Sequence, residues 1–189
     1  YAPYPKEFFE FVKQKGVNFE ALLDIGMVRK KEDGHYSFMF ANRVTIPIRD
    51  RFGRVIAYTA RSIEEKTDCK YLNSTTSCVY RKGNTVFGIE IARMAAAKAG
   101  SLFIVEGAPD VLRLQSVGFD NAVAALGTEW TAAQFDAIKG LTDTLCFIPD
   151  SEVPKDGEIY APGTVAVMKN GREAVNRGFR IVVREIPLD

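Results

Sequence analysis

The 189-residue sequence predicts an α/β protein, an α+β first part followed by a mostly parallel α/β sheet. Three observations predict it. After Gly100, short apolar runs alternate with amphipathic stretches in the order strand, helix, strand, helix, strand. That order belongs to a parallel sheet with helices on both faces. Before Gly100, two apolar runs are joined by a short Asp/Gly turn, as in a β-hairpin. The composition, 47% hydrophobic and 26% charged, is an ordinary globular mix and excludes disorder over most of the length. The run Ser101 to Val105 is far shorter than the roughly 20 residues of a membrane span, so no membrane partner is expected.

Taken in order, Phe8 to Val17 reads as a short helix, with Phe8, Phe9, Phe11 and Val12 at helical spacing. Asn18 is placed to cap a second helix, Phe19 to Asp24, which Gly26 ends. Lys30 to Gly34 is a polar turn. Val44 to Ile48 and Arg54 to Ala60 are the hairpin strands, and Arg49 to Gly53 joins them. Glu64 to Ser77 is polar and reads as loop. Val86 to Ala99 is rich in Ala and reads as a helix stopped by Gly100. Leu102 to Val105 is a buried strand, Asp110 to Val117 a helix ended by Gly118, and Ala122 to Ala125 a strand. Thr131 to Ile138 is helical, and Thr131 with Gln134 has capping-box spacing. Thr144 to Ile148 is a strand, Thr164 to Arg177 a helix ended by Gly178, and Phe179 to Ile186 a last strand. The change of rhythm places a boundary near Gly100, dividing residues 1–100 from 101–189.

Net charge is +1, but its distribution is uneven. Residues 41–100 hold 11 basic against 5 acidic side chains, and residues 101–160 hold 3 against 10. A basic stretch followed by an acidic one fits a polymer-phosphate groove beside a divalent-metal site. It also fits solvated surface that happens to cluster. Cys69, Cys78 and Cys146 are an odd count without C-x-x-C spacing, and His35 is the lone histidine. A structural zinc site takes about four Cys/His ligands, typically in closely spaced pairs, which these scattered residues do not form, so zinc is not expected, and reduced thiols point to the cytoplasm. Tyr1 opens the sequence without a Met and no leader pattern follows, so an excised or processed chain is expected.

Four acids fall just past the carboxyl ends of expected strands: Glu106, Asp110, Asp150 and Glu152. Ligands of open α/β sheets bind there. Mg²⁺ takes oxygen ligands, commonly one or two carboxylates with substrate phosphates, and two such ions can clamp a phosphoryl transfer. Each acid also has a structural reading. Asp110 at a helix start gains about 0.3–1 kcal/mol from the helix dipole alone, and Asp150 and Glu152 fit a turn before Pro154. Gly107 and Gly127 follow strands, where Gly127-Thr128 leaves room for a phosphate or makes a tight turn.

Glu106-Gly-Ala-Pro-Asp110, Ala-Ala-Leu-Gly127-Thr and Cys-Phe-Ile-Pro-Asp150-Ser-Glu152 resemble the TOPRIM domain of topoisomerases, DnaG-type primases and some nucleases. The upstream segment chooses among them. Asn42-Arg43-Val-Thr-Ile-Pro-Ile-Arg49-Asp-Arg-Phe-Gly53-Arg54-Val-Ile-Ala, then Arg61, Lys70-Tyr71-Leu72-Asn73-Ser74, Lys82-Gly83-Asn84 and Phe87-Gly88 resemble the catalytic core of bacterial DnaG-type primases. The resemblance runs from about Asn18 to Glu152. It implies template-directed synthesis of short RNA primers on single-stranded DNA from ribonucleoside triphosphates, with Mg²⁺ or Mn²⁺. Carried over by position, Glu106, Asp110, Asp150 and Glu152 match the family's metal-binding and catalytic acids. Arg43, Arg61, Lys70, Asn73 and Lys82 match residues of its template and nucleotide groove. Tyr71 is placed to stack on a base, worth about 1–3 kcal/mol, or to be simply half-buried.

Two departures accompany the match. The family usually carries Asp at the place of Glu152, with Ala-Gly soon after, whereas here Lys155 to Tyr160 reads as an insertion. The family's zinc-binding and helicase-binding domains have no counterpart in these residues, so a replicative helicase would be met through domains outside them. A shortened, divergent core points to a primase of a mobile element or plasmid. Two other readings of the same residues are a TOPRIM metal-dependent nuclease and a non-catalytic nucleic-acid-binding module with a decayed site.

Overall fold

The computed structural model describes residues 1–64, 67, 69–151, 153–154 and 157–185. Contacts divide the chain into two units, one of Tyr1–Ile48 with Arg54–Arg81 and one of Arg49–Gly53 with Lys82–Asp189.

In the first unit, helix α1 (Pro5–Gln14) opens on a Pro, whose missing N–H would be unpaired in a first turn anyway. It buries Phe8 and Val12. Helix α2 (Phe19–Asp24) has the expected cap: Asn18 Oδ1 accepts the N–H of Glu20 at 3.0 Å and of Ala21 at 3.4 Å. Strands β1 (Val28–Lys30) and β2 (Tyr36–Phe38) pair antiparallel around the polar turn. Phe8, Val12, Leu22, Val28, Phe38, Phe40 and Ala60 form this unit's core, with the Phe8 and Phe38 rings stacked at 3.8 Å. The hairpin strands are β3 (Arg43–Arg49) and β4 (Val55–Ser62). A third strand, β5 (Tyr71–Asn73), pairs antiparallel with β4 where the sequence reads as loop. Three residues carry too little periodicity to announce a strand, and the free edge of β4 supplies what their pattern lacks.

The second unit is built on a five-stranded sheet of β6 (Val86–Phe87), β7 (Leu102–Val105), β8 (Ala122–Ala125), β9 (Thr144–Phe147) and β10 (Arg180–Val183). The spatial order is β10-β9-β7-β8-β6. All neighbours are parallel except β6, which runs antiparallel to β8. Helices α3 (Ile89–Ala99), α4 (Ala108–Ser116), α5 (Ala132–Ile138) and α6 (Pro162–Asn176) complete it. Side chains alternate across a strand, and the sheet uses both faces. Leu102, Ile104, Val123, Leu145 and Phe147 enter one core with Ala92 and Ala96 of α3, Phe135 and Ile138 of α5, and Ala174 of α6. From the other face Phe103 meets Phe119 at 5.8 Å between ring centres.

Val86–Phe87 is a strand where the sequence suggests the start of a helix. Gly88 makes the break, with φ +84° and an ideal Cβ position only 2.8 Å from Val111 Cγ1 and 3.0 Å from the Ala122 carbonyl oxygen. A side chain there meets both backbone strain and a clash. Through β6 and α3, residues 86–99 belong to the second unit with its sheet. Gly100 caps the end of α3.

Candidate functional site

Strands β7 and β9 are neighbours, with Ile104 opposite Phe147, so the residues after them share one rim of the sheet. Glu106 follows β7 directly and is exposed. Its Oε1 accepts the backbone N–H of Asp150 at 3.0 Å, which joins the two loops. Asp150 is exposed as well. Asp110 sits in the first turn of α4 and its Oδ2 accepts the Gly107 N–H at 2.9 Å. That bond gives Asp110 a capping role. Glu152 lies outside the described residues.

Sequence reasoning missed the residue that closes this rim. Gly163, in the first turn of α6, stands where a Cβ would be 2.7 Å from Glu106 Oε1, 3.2 Å from Pro149 Cβ and 3.3 Å from the Asp150 carbonyl oxygen. Glycine lets the helix approach the carboxylate this closely. Pro162-Gly163 carries the only signal, since Pro favours the first helical turn, and α6 indeed starts at Pro162 rather than Thr164.

Exposed oxygen donors after adjacent parallel strands suit a hard divalent cation. Among the described residues no three Cys, His, Asp or Glu side chains form a group able to hold a metal. Glu106 and Asp150 are two acids on joined loops, and one or two carboxylates with substrate phosphates are a common Mg²⁺ arrangement.

The loop after β8 forms the next part of the same unit. Lys82 reaches it from a single 3₁₀ turn at Lys82–Asn84, and a Cβ at Gly127 would lie 3.3 Å from Lys82 Cε and Nζ. Asn170 of α6, buried, holds the loop by its backbone: its Oδ1 accepts the Trp130 N–H at 3.0 Å, and its Nδ2 donates to the Thr128 carbonyl at 3.3 Å. Lys169 pairs with Glu129 beside it. Asn170 too was absent from the sequence reading, because nothing in a helical stretch marks which polar residue turns inward.

The other expected basic residues lie in the first unit. Arg61 and Tyr71 are register partners of β4 and β5, and the guanidinium lies 5.8 Å from the centre of the Tyr71 ring. Both are exposed, as is Lys70 beside them. Asn73 pairs with Thr59 on the same strand pair. Arg43 differs from these, since its Nη1 donates to the carbonyls of Cys69 at 2.9 Å and Lys70 at 3.4 Å. It braces the chain entering β5.

Among the described residues, two buried groups outside the site, Tyr80 and Cys146, and the half-buried Glu90 have displaced acidities. Burial pushes the Tyr80 hydroxyl up to about 12. Burial also raises the Glu90 carboxyl, against its own backbone hydrogen bond and the nearby Arg49 charge, which lower it. Burial raises the Cys146 thiol. Among the described residues no helix is long and apolar enough to cross a membrane.

Residues 1–93 match the family described as DNA primase catalytic core, N-terminal domain. The chain is 31% identical over 160 residues to a DNA primase of Listeria monocytogenes, covering 85% of this chain and 26% of that protein. It superimposes on the zinc-binding and RNA polymerase domains of the Aquifex aeolicus primase with TM-score 0.88 and 31% identity, over 99% of this chain and 44% of that one. A DnaG primase catalytic domain bound to single-stranded DNA matches with TM-score 0.74 and 30% identity, over 93% and 56% of the two chains. The chain thus spans about a quarter of the length of the curated relative it matches.

Proposed function

This chain belongs to the DnaG-type primase catalytic-core family, and on that premise we propose that it makes short RNA primers on single-stranded DNA in the cytoplasm. The observation that carries the reading is the joined pair of exposed acids, Glu106 and Asp150, at the ends of neighbouring parallel strands. Glu106, Asp110, Asp150 and, from outside the described residues, Glu152 would hold Mg²⁺ or Mn²⁺. Bound there, the cation supplies charge neutralisation at the reacting phosphates. Asp110 keeps the turn after Glu106 closed by accepting the Gly107 N–H. Lys82 and the open backbone at Gly127 receive the triphosphate of a ribonucleotide. Arg61, Lys70 and Asn73 contact template phosphates, which positions a strand without reading its sequence. Tyr71 offers a face for a base, and Arg43 holds the strand that presents them. The single-stranded DNA carried by the similar catalytic domain is the ligand class this assignment needs.

The test is incorporation of labelled ribonucleotides on a single-stranded DNA template, in Mg²⁺ and in Mn²⁺, with Asp150→Asn alongside. Template-dependent product is expected. It should fall by on the order of 10²–10³-fold in the variant, the scale of losing one preorganised charge at a reacting centre, while single-strand binding survives. Full activity of Asp150→Asn removes the catalytic assignment. Strand cleavage without incorporation assigns the site to a nuclease instead.

A further inference from the structure

Gln134 is 2% exposed, and a buried carboxamide is costly unless its hydrogen bonds are made. Both side-chain polar atoms are engaged, one on its own helix start and the other on the segment Lys82–Thr85. Oε1 accepts the Thr131 N–H at 2.9 Å, which is the capping-box half of its role. Nε2 donates to the Lys82 carbonyl at 3.2 Å and to the Thr85 carbonyl at 2.7 Å. Thr131 Oγ1 accepts the Gln134 N–H at 3.2 Å and donates to the Gly83 carbonyl. A capping box needs only an acceptor at this position, and glutamate serves it as well. The two carbonyls explain the amide, because a carboxylate cannot donate to them.

The two residues of this box therefore grip the carbonyls of Lys82, Gly83 and Thr85. Lys82 is the residue whose ammonium lies against Gly127. A lysine stem is long and flexible, so the anchoring of its backbone decides where the charge can reach.

We propose that Gln134, assisted by Thr131, is a positioning residue that sets the Lys82 ammonium over Gly127 and so shapes the subsite for a nucleotide's polyphosphate. This rests on the reading of Lys82 and Gly127 as a phosphate-binding pair.

The test measures KM for ATP and kcat of primer synthesis in the full chain for Gln134→Met, Thr131→Val, Lys82→Gln and the Gln134→Met/Lys82→Gln pair. Gln134→Met should raise KM about tenfold, the scale of one misplaced charge-assisted hydrogen bond to phosphate, with kcat within about twofold. Thr131→Val should raise KM less, and it carries the test by itself if Gln134→Met does not fold. The double variant should bind ATP no worse than Lys82→Gln alone. A double variant whose losses multiply overturns the proposal, as does an unchanged KM in both Gln134→Met and Thr131→Val. An unchanged KM in Lys82→Gln removes the phosphate-binding pair itself, and the proposal falls with it for that separate reason.

Discussion

Glu106 and Asp110 in the second unit each accept a backbone N–H on one carboxylate oxygen, whereas Arg61, Lys70 and Tyr71 in the first unit stand exposed along a strand pair. The two regions are held to different tolerances. On the proposed role, an acid that acts on a reacting atom loses its effect when displaced by an ångström, and backbone bonds with a closely approaching helix suit that demand. A group that neutralises a phosphate acts through a long-range, screened field and works from many rotamers. Arg43, also in the first unit, is a basic side chain that has become a brace by donating to two carbonyls.

The largest effect is expected where the acidic region is most tightly packed. Gly163→Ala replaces a poor helix residue by a good one, and by propensity alone it should stabilise α6. Its Cβ instead meets Glu106 Oε1. Primer synthesis should drop by roughly 10²-fold in kcat while the melting temperature moves little, and unchanged kcat would show that Glu106 need not be placed so closely. A smaller effect is expected on the basic side. Arg61→Gln should weaken single-strand binding severalfold and flatten the plot of log affinity against log salt by about 0.7, one phosphate's share. An unchanged slope would assign Arg61 to Tyr71 alone.

The smallest effect lies away from both regions. The Glu90 carboxyl is raised in the folded chain, chiefly by burial. Its folded form therefore keeps a proton that the unfolded form has released. Stability from this group is complete below the ordinary glutamate range and is lost as pH rises through the raised value. Glu90→Gln should raise the melting temperature at pH 7.5 and leave it unchanged near pH 4. An equal shift at both pH values would mean that the carboxylate charge is not the cause.

What the sequence made legible was whatever local chemistry decides. The Asn18 cap, the Thr131–Gln134 box and the strand at Ala122–Ala125 stand where the sequence puts them. Glu106 and Asp150 follow strands as expected, and neighbouring strands bring them to one rim. The parts that stayed hidden depend on partners distant in the chain. Val86–Phe87 is a strand because β8 offers it an edge. Tyr71–Asn73 is a strand because β4 does. Gln134 could be read as a cap but not as a grip on Lys82, since nothing within a few residues of it announces carbonyls fifty positions earlier. Asn170 and Gly163 are single residues on one helix, and their meaning lies in what that helix approaches.

Helix α6 touches the rim of acids at Gly163 and the loop after β8 at Asn170. These positions lie on one rigid rod, about 10 Å apart along its axis at 1.5 Å per residue. The helix therefore works as a ruler. Removing one residue between the two marks would shorten the interval by about 1.5 Å and swing Asn170 through about 100°, so the carboxylates and the loop after β8 could not both be met. Over that interval, length should be fixed more strictly than composition.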